Sequence, residues 1–156
     1  MRIALTSLAL LLFGSPVVAA EPCERTPSSA ARALYEDHQE FILSGAPSPP
    51  LSETFARAVK SNLDEQTRTG DSGLIDWNYW TDAQDGEQSK NAEVAAVKVN
   101  GRQAQVTLKY KFYLSPTERP KTKRAIVKLS RTAKGCWLIE DLQNGSKSVM
   151  SYLRPQ

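Results

Sequence analysis

The sequence predicts an α+β fold: two N-terminal helices packed on an antiparallel sheet of about four strands, with a short C-terminal helix. Three observations predict it. Apolar residues recur at helical spacing as far as about residue 67. From residue 92 the period becomes two and stays so to residue 142. Strands with one apolar face need a covering layer, which the segregated helices supply.

The first twenty residues stand apart from that domain. Arg2 gives a positive start, Ile3 to Phe13 is an almost unbroken apolar run, and Val18-Ala19-Ala20 offers small residues before a cut after Ala20. This is the pattern of a secretory signal peptide, and its apolar run is shorter than the ~20 residues of a membrane span. Ala20-Glu21-Pro22 is a poor lead-in to lipid attachment at Cys23. The expectation is therefore a single domain over 21–156, exported to a bacterial periplasm without a stable membrane anchor. Two cysteines, Cys23 and Cys136, most simply form one disulfide in such an oxidising compartment; two unpaired thiols are the alternative.

The first helix is expected over 27–43. Thr26 can cap it, and Pro27 at its first position loses no hydrogen bond. Ala31, Leu34, Tyr35, His38, Phe41 and Ile42 form one stripe. Gly45 and Pro47-Ser48-Pro49-Pro50 stop it. Ser52 caps a second helix, about 53–67, with Ala56, Val59 and Leu63 inward and Gly70 just past its end.

An irregular stretch follows, Ile75 to Gly86, reading IDWNYWTDAQDG. The meander comes next. A strand over 92–99 runs into the hairpin signal Asn100-Gly101. Residues 102–114 alternate cleanly, with Val106, Leu108, Tyr110, Phe112 and Leu114 on one side. Strands over 122–132 and 136–142 complete the sheet, and Asn144-Gly145 precedes a terminal helix over 146–153.

The irregular stretch carries the first candidate site: Asp76, Trp77, Tyr79, Trp80, Asp82, Gln84 and Asp85. A standard calcium loop needs oxygen ligands at positions 1, 3 and 5 and glycine at 6. Counting from Asp76 puts Trp80 and Thr81 at positions 5 and 6; counting from Asp82 puts Gly86 and Glu87 there. Both registers fail, which leaves only an irregular calcium site using Asp76, Asp82 and Asp85. Paired carboxylates can also do glycosidase-type acid–base work. More commonly, loop carboxylates cap turns. Trp77, Tyr79 and Trp80 either pack the core and edge or line a pocket mouth or partner surface.

Tyr35 and His38 form a second candidate, a pocket in a hollow between helices and sheet. His38 is the only histidine, and on an apolar stripe it is more often a hydrogen-bonded core residue than a ligand. No nucleophile elbow, phosphate-binding loop or dinucleotide fingerprint occurs. No catalytic residue, metal or cofactor is assigned.

Charge is uneven although the formal total is only +3. Asp64 to Glu93 holds eight acids against two bases, and Lys98 to Lys134 holds eleven bases against Glu118. The third candidate is therefore a basic sheet face of Lys109, Lys111, Lys121, Lys123, Arg124 and Lys128. It suits an acidic protein or envelope polymer. The plainer reading is a solvated face whose lysines discourage edge pairing. Nucleic acid is not expected, since aromatic residues are not interleaved on that face.

Gly73-Leu74-Ile75-Asp76-Trp77-Asn78, then Ala83-Gln84-Asp85, then Cys136-Trp137-Leu138-Ile139-Glu140-Asp141-Leu142 resemble the pattern of the uncharacterised YqhG/YbjP-like family of small bacterial envelope proteins. The resemblance covers roughly residues 30–153. It implies an NTF2-like or cystatin-like α+β roll, and the family offers no chemistry to carry over. Some members are lipoproteins. The expected function is a non-enzymatic periplasmic binding or accessory module acting through a protein partner, of inhibitor or immunity type. The alternatives are a small-ligand pocket or minor enzyme in the hollow, and the irregular calcium domain.

Overall fold

The computed structural model describes residues 23–44, 49–71, 74–75 and 77–153. The expected signal peptide, residues 1–20, lies outside the described residues, as does Asp76. Helix α1 is Pro27–Asp37, with the Thr26 hydroxyl accepting from Ser29 N–H at its start. It buries Ala30, Ala31, Leu34 and Tyr35.

The helix expected over 27–43 is in fact two, because the chain leaves helical geometry at His38 and resumes as α2, Phe41–Ser44. The break has a cause in the core. The Tyr79 hydroxyl and the Trp80 indole N–H both donate to the Gln39 carbonyl. A buried phenol and indole need an acceptor, and a carbonyl inside a continuous helix would already be used.

Helix α3 is Glu53–Thr69, started by Ser52 and ended by Gly70 at φ 71°. Its inner face is Phe55, Val59 and Asn62, and Ala56 is exposed rather than inward as expected. The preceding chain sets this rotation, since Ser52 N–H donates to the Ile139 carbonyl at 2.8 Å and Ile139 N–H to Pro50 at 2.9 Å. Asn62 can be buried because its amide is used: Oδ1 accepts from Leu74 N–H at 2.8 Å and Nδ2 donates to the Ile42 carbonyl at 3.5 Å.

The sheet is antiparallel and has, among the described residues, six strands rather than about four: β1 Glu87–Gln88, β2 Glu93–Asn100, β3 Gln103–Tyr113, β4 Lys121–Arg131, β5 Trp137–Asn144 and β6 Lys147–Ser148. Their order is β1-β3-β4-β5-β6, with β2 also on the β3 edge. The two extra strands are two residues each, too short to show any period. Pairing of β6 with β5 also shortens the terminal helix to α4, Val149–Leu153. In the first hairpin Asn100 pairs with Gln103, so Gly101 (φ 57°) and Arg102 make the turn. Glycine at the first central position suits a type II′ turn.

Inner-face residues meet in register: Val106 with Val127, Leu108 with Ala125, Ala104 with Leu129. Each is buried under the helices, and a fully buried Val or Leu contributes roughly 1.5–3 kcal/mol. Cys23 and Cys136 are disulfide-bonded, 113 residues apart in sequence. Closing so long a loop is worth about 4–5 kcal/mol on the chain-entropy account. Among the described residues, no helix is long and apolar enough to cross a membrane.

Candidate functional site

Among the described residues, Asn78 organises the stretch from 75 to 86. Its Oδ1 accepts from Trp80 N–H at 2.9 Å and Thr81 N–H at 3.2 Å, the Asx-turn chemistry. Its N–H donates to the Ala83 carbonyl at 3.0 Å, and its carbonyl accepts from Asp82 N–H at 2.8 Å. A side-chain bond from Nδ2 to Gln88 Oε1 at 3.0 Å ties the turn to β1. The sequence puts Asn78 in the motif without a role; asparagine's preference for closing Asx-turns is the available signal.

That turn drives two rings inward. Trp80 is 1% exposed and Tyr79 3%. Trp80 meets Tyr35 edge-on at 4.9 Å and Tyr110 at 6.2 Å, and Tyr35 lies against Tyr110 at 4.9 Å. Tyr35 Oη donates to the Ser89 carbonyl at 2.6 Å. Tyr110 Oη and Asn144 Nδ2 both donate to the Trp80 carbonyl. Burial pushes the phenols of Tyr35, Tyr79 and Tyr110 above their ordinary value, because the charged form would be desolvated. The expected hollow between α1 and the sheet is thus occupied by rings. Tyr35 is a packing residue within it, while His38 sits half-buried where α1 ends.

Asp82 adopts φ 53°, a left-handed conformation that Asp tolerates. Its carboxylate accepts from Lys147 Nζ at 2.6 and 2.9 Å, and this bond raises the lysine's pKa. An ammonium thus occupies the side of Asp82 that a cation would need. Gln84 and Asp85 are exposed. Among the described residues, no three of His, Cys, Asp and Glu come together to hold a metal. Trp77 is half-buried and packs edge-on against Tyr152 at 5.1 Å. The crevice beside it, walled also by Tyr79, Asp82 and Lys147, has about 10 Å³ of space, hardly one water.

The basic residues divide between the two faces of the sheet. Lys109, Lys111, Arg124 and Lys128 are on the outer face, in register with one another or with Gln105 and Thr122. Lys121 and Lys123 belong to the helix-covered side, paired with Phe112 and Tyr110. Lys123 Nζ lies 5.4 Å from the Phe112 ring centre and donates to the Thr81 carbonyl at 2.9 Å, so it serves the core. Strand alternation is the reason: 121 and 123 share the parity of Ala125 and Val127.

On the outer face Lys109 pairs with Glu93 at 3.0 Å and Lys128 with Asp141 at 3.2 Å. Arg124 stands directly opposite Lys109, like charge facing like, and makes no ion pair among the described residues. Asp141 belongs to the Cys136–Leu142 run, and the sequence assigns it no role. It is buried and accepts from Lys128, from Ser148 Oγ at 2.8 Å and from Met150 N–H at 3.0 Å, holding α4 against β5. No family model matches this chain, and no similar curated protein or solved structure is found.

Proposed function

We propose that this chain is an exported, non-enzymatic binding module that docks an acidic protein partner on the outer face of its sheet. The observation that carries the reading is the state of that face. Among the described residues no layer covers it, Ile126 and Leu138 lie half-exposed on it, and Arg124 makes no ion pair beside Lys109 and Lys111. An arginine with five donors suits a carboxylate on a partner, with apolar contacts alongside. The filled interior supports the same reading, since Tyr35, Trp80 and Tyr110 take the space a small ligand would need. An inhibitor or immunity-type role fits a small, disulfide-tied domain of this kind. The disulfide and the pattern of residues 1–20 support a periplasmic location. A sheet with helices on one face supports reading the fold as an NTF2-like roll of the YqhG/YbjP-like kind.

The test is a photo-crosslinking residue placed at Thr107, in the middle of the outer face, and at Lys60 on exposed α3 as a control. In periplasmic extract, a discrete adduct from position 107, absent from position 60 and lost with Arg124→Glu, is expected. Equal labelling from both positions, or an adduct indifferent to Arg124→Glu, overturns the docking face.

A further inference from the structure

The end of the molecule that holds the disulfide carries a second basic feature, separate from the outer sheet face. Arg25, Arg102, Arg131 and Lys134 surround an open depression of about 540 Å³ floored by the turn 132–135. Among the described residues no carboxylate lines it. Among the described residues none of the four cations is in an ion pair.

Three of the four are held in place by the fold. Arg25 Nη1 donates to the Lys134 carbonyl at 2.7 Å, and Arg102 Nε to the Arg131 carbonyl at 3.0 Å. The Arg131 guanidinium lies 5.9 Å from the Trp137 ring centre. Each arginine thereby keeps further N–H donors unused. Gly135, at φ 86°, leaves the space between them clear: a Cβ there would lie 3.3 Å from Arg25 Nη1 and 3.6 Å from Arg131 Nη2. Two guanidinium groups thus approach one point, with no group of opposite sign between them among the described residues. The disulfide tethers both sides, because Cys23 is two residues from Arg25 and Cys136 follows Gly135.

We propose that this depression is a binding site for a tetrahedral oxyanion, a phosphate or sulfate group. Like charges held together by packing are relieved most by a multiply charged anion, and pre-set arginine forks offer it donors from several directions. A single planar carboxylate can engage one fork and leaves the other cations unrelieved. The site stands whether or not the outer sheet face docks a protein.

Arginine Nε–H resonances, followed by NMR at low salt, report binding to the intact disulfide-bonded domain. Inorganic phosphate and pyrophosphate are expected to shift the Arg25, Arg102 and Arg131 signals saturably, with acetate at equal concentration having little effect. Arg102→Gln and Lys134→Gln are each expected to weaken phosphate binding roughly tenfold. Both are preferable to replacing Arg131, whose contact with Trp137 gives it a packing role. Lys121→Gln, roughly 33 Å away along β4, should leave binding unchanged. Vesicles of phosphatidylglycerol and of phosphatidylcholine distinguish the source of the group. Binding to the first vesicle and not to the second or to free phosphate puts the oxyanion on a lipid headgroup; binding to free phosphate alone makes it a soluble anion. No response to phosphate, pyrophosphate or anionic vesicles overturns the site. So does acetate binding as well as phosphate, or equal weakening by Lys121→Gln.

Discussion

The two faces of the β3–β4 pair are made by the same strands and meet opposite fates. On the inner face, polar atoms are used: the hydroxyls of Tyr35 and Tyr110 and the ammonium of Lys123 all donate to carbonyls. On the outer face, Arg124 faces Lys109 with no carboxylate opposite it. A satisfied polar group stabilises the fold and is closed to a partner. An unsatisfied exposed one costs the fold little and is open to one. Substitutions should therefore act on stability from one side of the strands and on binding from the other.

The largest effect tests the inner face by pH. Burial raises the phenols of Tyr35, Tyr79 and Tyr110 above 10.0, their ordinary value. Each folded phenol thus holds its proton to higher pH than the unfolded one. Stability from this source is fully present below pH 10 and falls as pH rises towards the folded values. The slope approaches about 1.4 kcal/mol per pH unit for each phenol that stays protonated in the folded chain. Urea denaturation at pH 9 and at pH 11 should show the drop, and Tyr110→Phe should remove one tyrosine's share of it. A midpoint that does not move between those pH values means that the rings are open to water.

Next in size is Trp80→Ala, which empties the middle of the ring cluster and should cost about 3–5 kcal/mol. Trp77→Ala should cost clearly less, because Trp77 is half-buried against Tyr152. Equal losses in urea denaturation would erase the distinction between a core ring and an edge ring within one loop.

That distinction marks the limit of what the sequence reveals. Alternation in 102–114 and 122–132 reads directly as strands, and Thr26, Ser52 and Gly70 read directly as caps. The disulfide is legible because two cysteines have one simple pairing. The break at His38 is not legible, because its cause is a carbonyl taken by Tyr79 and Trp80 some forty residues away. The sequence leaves the loop's aromatics between core, edge and pocket mouth; Tyr79 and Trp80 are core and Trp77 is at the edge, since Asn78 turns the backbone inward. Lys121 and Lys123 count as basic residues in the sequence, but only strand parity puts them on the covered side. The arginine depression joins residues 25, 102, 131 and 134, which no local pattern connects.

Asp141 sits between the two regimes, since Lys128 on the outer face and α4 at the sheet edge share its carboxylate. Asp141→Ala should cost about 2 kcal/mol, the scale of hydrogen bonds to a charged group. Amide exchange should report it locally, with the Val149–Leu153 helix losing protection before β3 and β4 do. Uniform loss across the sheet would mean that α4 is no separate unit.

The smallest expected effect on stability is the most telling for function. Arg124→Gln removes a cation that stands opposite Lys109 and has no ion-pair partner among the described residues. Like charges directly opposite on adjacent strands are mildly destabilising, so the substitution should leave stability within about 0.5 kcal/mol and move it upward if at all. A loss above about 1 kcal/mol would mean that the guanidinium supports the sheet, and the outer face would then resemble the inner one. Unchanged stability together with loss of the adduct at position 107 would separate the two faces as binding surface and core. Salt provides the cross-check: the adduct should fade as ionic strength rises and screens exposed charge, while the urea midpoint of Arg124→Gln should follow that of the unsubstituted chain at every salt concentration.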